Sequence, residues 1–169
     1  MELTDWSKIR DVSIYINHFN THYRLLLERY KRFCEIDYIY NTDIDVITYL
    51  DIIVVQIRSM CIENKNYKKN YTAQNLLRKL KRDDLADKLD IMLNAEFKKG
   101  VFTDFPTSTA LKLLADKFIC HYDAADDEQW AMARLIERQL RNPYDEVNLK
   151  SIMGTITECI GEGFGIIKA

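Results

Sequence analysis

Glycine and proline are scarce in this chain, five and two residues out of 169, and the turns of sandwiches and barrels depend on such residues. Helices are therefore the expectation. There is no excess of base either. The 24 Lys and Arg against 26 Asp and Glu leave a formal charge of −2, so no global positive field recruits nucleic acid, although a local basic patch is still able to. Cysteine is too scattered for a disulfide framework. Cys34, Cys61, Cys120 and Cys159 contain no C-x-x-C pair and no secretion-type cluster, and they read as reduced thiols. The opening Met-Glu-Leu-Thr-Asp-Trp carries acid where a secretory signal would carry base before an apolar run, which points to the cytoplasm. The most apolar window, Val46 to Ile57, is too short to span a bilayer and is interrupted by Asp51. It reads as a buried core helix, and no membrane partner is expected.

What is present is size and periodicity. A chain of 169 residues suits a single domain over 1–169, large enough to bury roughly two-thirds of the surface its unfolded form exposes. Trp6, Ile9, Val12, Tyr15, Ile16, Phe19, Tyr23, Leu26, Leu27, Tyr30 and Phe33 recur at three- and four-residue steps. They predict one long amphipathic helix, or two joined by a kink, capped by Thr4 or Asp5. Asp43 or Asp45 opens a second helix running to Cys61, apolar enough to sit centrally, and Asn64 to Asn70 is a solvated loop. Thr72 caps the next element, and Arg82-Asp83-Asp84 divides it into two shorter helices. Gly100 to Pro106 is a loop before a helix capped by Thr107 or Ser108. Asp126 to Leu140, with acids first and Arg138 and Arg141 at its end, complements the helix dipole and stops at Asn142-Pro143. A last helix spans about Asp145 to Ile160, with a frayed tail at Gly161, Gly163 and Gly165. The result is an all-α bundle of about five to seven helices, without repeats.

Three features offer chemistry and have plainer explanations. His18 and His22 lie one helical turn apart, but His-Phe-Asn-Thr-His lacks the glutamate of a zinc-protease helix, and two ligands fall short of the three or four a zinc site needs. A solvated polar face explains them better. A metal-binding bundle would have to add carboxylates such as Glu28, Glu35, Asp51 or Glu63, and no metal or other cofactor is expected. Tyr15, Tyr23, Tyr30, Tyr38 and Tyr40 crowd the first quarter of the chain. At helical spacing they suit packing with hydroxyls at the rim better than base stacking. The basic stretches Lys65 to Lys69 and Arg78 to Arg82 read as solvated faces rather than phosphate contacts.

The segment from Ala115 to Asp123 differs: Leu-Ala-Asp-Lys-Phe-Ile-Cys-His-Tyr-Asp, from Leu114, ends a helix with a histidine among polar residues. It resembles the signature of the HEPN superfamily, in which arginine is followed by a polar residue, then four residues, then histidine. Asp116 and His121 match, and the phrase is particularly similar to abortive-infection members carrying Leu-Arg-Asp-Lys, apolar residues and His. The likeness covers about ten residues tightly; chain length, the long first helix and the helix after the motif accompany it. The arginine position is Ala115. Either a natural member has lost activity, or arginine was replaced so that a toxic protein could be produced; the intact neighbouring matches favour the second.

The resemblance implies a HEPN-like bundle and a metal-independent endoribonuclease of a toxin–antitoxin or phage-defence system, inactivated by alanine at 115. His121 would act on the ribose 2′-hydroxyl, whose attack on the adjacent phosphate leaves a 2′,3′-cyclic phosphate. An imidazole with an unperturbed pKa of about 6.5 suits that task, and the missing guanidinium would have held the phosphate. Asp116 would orient a catalytic group or the interface, with Lys117 and Tyr122 as substrate contacts. Tyr122 follows His121 directly, one residue short of the tyrosine modified in toxins silenced by nucleotide transfer. Positions six apart on a regular helix diverge by roughly 120° and ~9 Å, so a two-fold dimer is needed to bring 115 and 121 together. The implied partners are RNA, a second copy, and an antitoxin or defence protein. The competing expectation is a non-enzymatic helical interaction module in which the Ala115 segment is core.

Overall fold

The structure is a computed structural model, and it describes residues 6–38, 43–62, 71–97, 105–119 and 127–165. Within them the chain is an all-α bundle of seven helices with one pair of very short strands. The first, α1, is a single helix over Trp6–Glu35, 30 residues without a break. Phe19, Tyr23, Leu26 and Phe33 are buried along one face, as their three-, four- and seven-residue steps require. Tyr23 and Tyr38 pack as expected: Tyr23 donates its hydroxyl to the Thr157 carbonyl at 3.5 Å, and Tyr38 stacks on Phe33 at 4.6 Å between centroids, whereas Tyr15 is exposed. Tyr40 and the caps proposed at Thr4 and Asp5 lie outside the described residues.

The second helix, α2, covers Ile44–Ile57 with Asp43 as its N-cap residue, though without a side-chain cap bond. It runs antiparallel to α1, and buried Gln56 ties the two together. Its Nε2 donates to the His22 carbonyl at 2.5 Å, and its Oε1 accepts from Arg29 Nη1 at 2.6 Å. Only one face of α2 is central. Val46, Leu50, Ile53, Val54 and Ile57 are buried, whereas Ile44, Ile47 and Ile52 reach solvent. The helix then widens into a π turn over Arg58–Ile62. The buried Gln74 amide donates to the Cys61 carbonyl there at 2.9 Å, satisfying a group that the altered ladder no longer pairs in the regular way.

Thr72 caps α3, Ala73–Lys79, through the Asn75 N–H at 3.4 Å. A tight turn with Lys81 at φ 60° leads to α4, Asp83–Asn94. The expected division into two short helices is therefore present. Phe105 and Pro106, read as loop from the sequence, instead form β2, antiparallel to β1 at Glu96–Phe97. Pro106 is also the N-cap residue of α5, Thr107–Leu113, and makes no side-chain cap bond. Thr107 is inside the helix. Its hydroxyl and N–H both donate to the Ala95 carbonyl, at 2.8 and 2.9 Å, so it anchors α5 to the end of α4 rather than capping its own helix.

α5 continues as a second π turn over Leu114–Ile119. Helix α6 spans Asp127–Arg141 with Arg138 and Arg141 in its last turn. The last helix, α7, is Leu149–Gly163 and starts later than Asp145 because Asn148 forms a capping box with Ser151. Gly163 is not frayed. A Cβ there would run into the buried Leu77 side chain, which fills the space the glycine leaves as α7 packs against α3. The loop at 64–70 and the tail beyond 165 lie outside the described residues. Among the described residues, no helix is long and apolar enough to cross a membrane.

Candidate functional site

The second π turn follows directly from α5, whose Ala110 and Leu111 are buried. Leu114 and Ala115 continue that buried face with no exposed surface. A side chain longer than alanine would have to grow from a Cβ already enclosed by the core. Asp116, one residue on, turns outward to the margin of the core. Its Oδ1 lies 2.5 Å from Nε of Arg58, the first residue of the other π turn, with the two side chains 30% and 28% exposed. The fold thus places a guanidinium beside the motif, from a residue 58 positions earlier in the chain. No spacing rule links 58 to 116, so the pair was invisible to pattern reading.

Helices α2 and α6 both pack on this π turn, and each brings a carboxyl group that is partly withdrawn from water. Burial pushes the Asp51 carboxyl up to about 6, with the charge of Glu137 adding to the effect. Burial also raises Glu137, against the pull of Arg141 and Arg134. Asp51 did leave a signal in the sequence, since it is the one charge inside the most apolar window of the chain. Glu137 left none, being one of several charges on a mixed helix.

The first π turn also helps line a groove of about 160 Å³ bounded by Tyr15, His18, Phe19, His22, Gln56, Ser59, Met60 and Tyr71. The floor is apolar, with Phe19 and Met60 buried. The two imidazoles meet edge to face at 4.6 Å, Tyr15 stacks on Tyr71 at 3.4 Å, and Lys79 Nζ sits 4.4 Å from the Tyr71 ring centre. His18 and His22 are exposed. Among the described residues, no three His, Cys, Asp or Glu side chains converge on a possible metal position. Cys61 and Cys159 are buried free thiols and Cys34 is an exposed one; burial pushes Cys61 up to about 12 and Cys159 up to about 11. Such thiols are inert as nucleophiles at neutral pH.

Of the sequence-derived site, Ala115 and Asp116 are thus located, one in the core and one in an ion pair. His121 and Tyr122 lie outside the described residues, as do Cys120 and the side chain of Lys117, whose backbone belongs to the second π turn. No family model, curated protein or solved structure matches the chain.

Proposed function

We propose that this chain is a HEPN-type RNA-directed domain, descended from metal-independent endoribonucleases of toxin–antitoxin or phage-defence systems, that binds RNA without cutting it efficiently. One observation carries the reading. The segment bearing the motif presents its acidic residue, Asp116, at the edge of the core with a guanidinium against it, while the preceding motif position is a buried alanine. A phosphate-binding charge is therefore at hand, but not where in-line cleavage would be served by the motif's own arginine. In this reading the domain works as a homodimer, and its partners are RNA and an antitoxin or defence protein.

The test is binding and cleavage of single-stranded RNA by the purified chain in EDTA, with its oligomeric state measured by sedimentation. A dimer that binds RNA at low salt, with binding reduced by His121→Ala and cleavage slow or absent, is the expected result. A chain that leaves RNA unbound overturns the proposal.

A second reading has its own support. Leu114 and Ala115 are core, and Ile44, Ile47 and Ile52 leave α2 with exposed apolar surface, as a helical interaction module would have it. That reading takes the lead if RNA is not bound.

A further inference from the structure

We infer that Arg58 is the side chain through which this domain grips an RNA phosphate, supplying from the first π turn the cation that the buried Ala115 does not; the inference rests on the RNA-directed reading above. The argument starts from exposure. Arg58 and Asp116 are 28% and 30% exposed, so their pair is at the rim of the core, in reach of solvent yet partly shielded from water. In that setting charge-assisted hydrogen bonds are stronger than on an open surface. The planar guanidinium matches phosphate geometry, which an ammonium does only as a point charge.

Position adds to this. Arg58 and Asp116 each belong to a π turn, a helix irregularity found often at functional sites. The next residue, Ser59, lines the groove that holds His18, His22 and the Tyr15–Tyr71 stack. The groove that begins one residue on from Arg58 offers a hydroxyl, two imidazoles and aromatic rings, groups that accept ribose and bases without sequence preference. Asp116 has two effects in this arrangement. It holds the guanidinium in place, and its negative charge competes with the phosphate.

That double role makes the test signed. Binding of a fluorescent single-stranded oligoribonucleotide is measured by anisotropy over a salt series, using the full chain and the variants Arg58→Ala, Arg58→Lys and Asp116→Asn. Arg58→Ala is expected to weaken binding about tenfold and to flatten the salt dependence by about one phosphate contact, a slope change of ~0.7. Arg58→Lys keeps part of the affinity, because charge survives while the fork is lost. Asp116→Asn tightens binding several-fold, since it removes the competing charge. If Arg58→Ala binds as the native chain does, the role of Arg58 is refuted while the RNA-directed reading stands. If Arg58→Ala and Asp116→Asn weaken binding alike as their melting temperatures fall together, the pair is only a strut between the two π turns. If the native chain itself binds no RNA, both readings fall.

Discussion

The corner where α3, α4 and α7 meet and the seam where α2, α6 and the second π turn meet handle charge in opposite ways. At the corner most of the named charges face water, Asp90 being the least exposed, and each has a nearby opposite. Arg78 Nη2 reaches Asp87 at 2.9 Å and Asp90 at 2.8 Å; Arg82 lies between Asp84 and Glu162; Lys88 bonds Glu158. These partners hold Arg78 above and Asp84 below their ordinary ranges, as complementary solvated charges do. At the seam two carboxyl groups are raised by burial, and the Arg58–Asp116 pair sits half-buried at its rim. The corner's stability rests on apolar packing, with its ion pairs adding little. The seam spends stability on groups that would be easier to keep in water, a pattern that clusters at functional sites.

The harshest way to break the comparison is to add charge to the seam. Ala115→Arg is expected to destabilise the domain by about 3–5 kcal/mol, through overpacking and an unpaired buried charge, as read by urea unfolding. An arginine at position 115 should therefore unfold the chain. A stable variant that cuts RNA would instead show that position 115 becomes accessible, and would support the proposed dimer. At the corner the weak point is steric. Gly163→Ala sets a Cβ within 2.0 Å of Leu77 Cδ2, and because Leu77 is fully buried a loss of about 1–3 kcal/mol is expected in thermal melts.

Asp51→Asn acts in the other direction. The folded carboxyl titrates at about 6 against an ordinary 3.8, so the folded state holds the proton more tightly than the unfolded one. Its contribution is intact below pH ~4 and is lost as pH climbs through about 6. Native stability should fall across that window, and the asparagine variant should be roughly 1–2 kcal/mol more stable at pH 7, with a flatter profile. A profile that the substitution leaves unaltered would place the titrating group elsewhere. The smallest effect belongs to the corner's ion pairs. Arg78→Gln should cost about 0.5 kcal/mol or less, shrinking further in high salt, and a larger loss would mean the corner depends on charge after all.

Local signals carried much of the fold. The 3.6-residue periodicity of Phe19, Tyr23, Leu26 and Phe33, the cap at Thr72 and the break before α4 were all legible, because each depends on neighbours within a turn or two. The errors arose where a local signal had a distant competitor. Thr107 resembles a cap but is bound to the Ala95 carbonyl, and Gly163 resembles a fraying end but makes room for Leu77. Asp145 resembles a helix start and misleads for a different reason: the signal that won is itself local, the capping box of Asn148 and Ser151 that opens the helix a few residues later. Of the candidate site, the phrase at 114–123 was visible, but nothing in it announced that Ala115 is enclosed or that Asp116 meets Arg58.

By itself, then, the amino-acid sequence determined the helical class, the placing of most helices and the apolar stripes that build the core, since backbone hydrogen bonding and side-chain periodicity act over a few residues. The tertiary structure alone decided which charges meet. Arg58 reaches Asp116, and Asp51 feels Glu137, only because helices far apart in the chain pack side by side, and desolvation exists only once that packing has excluded water.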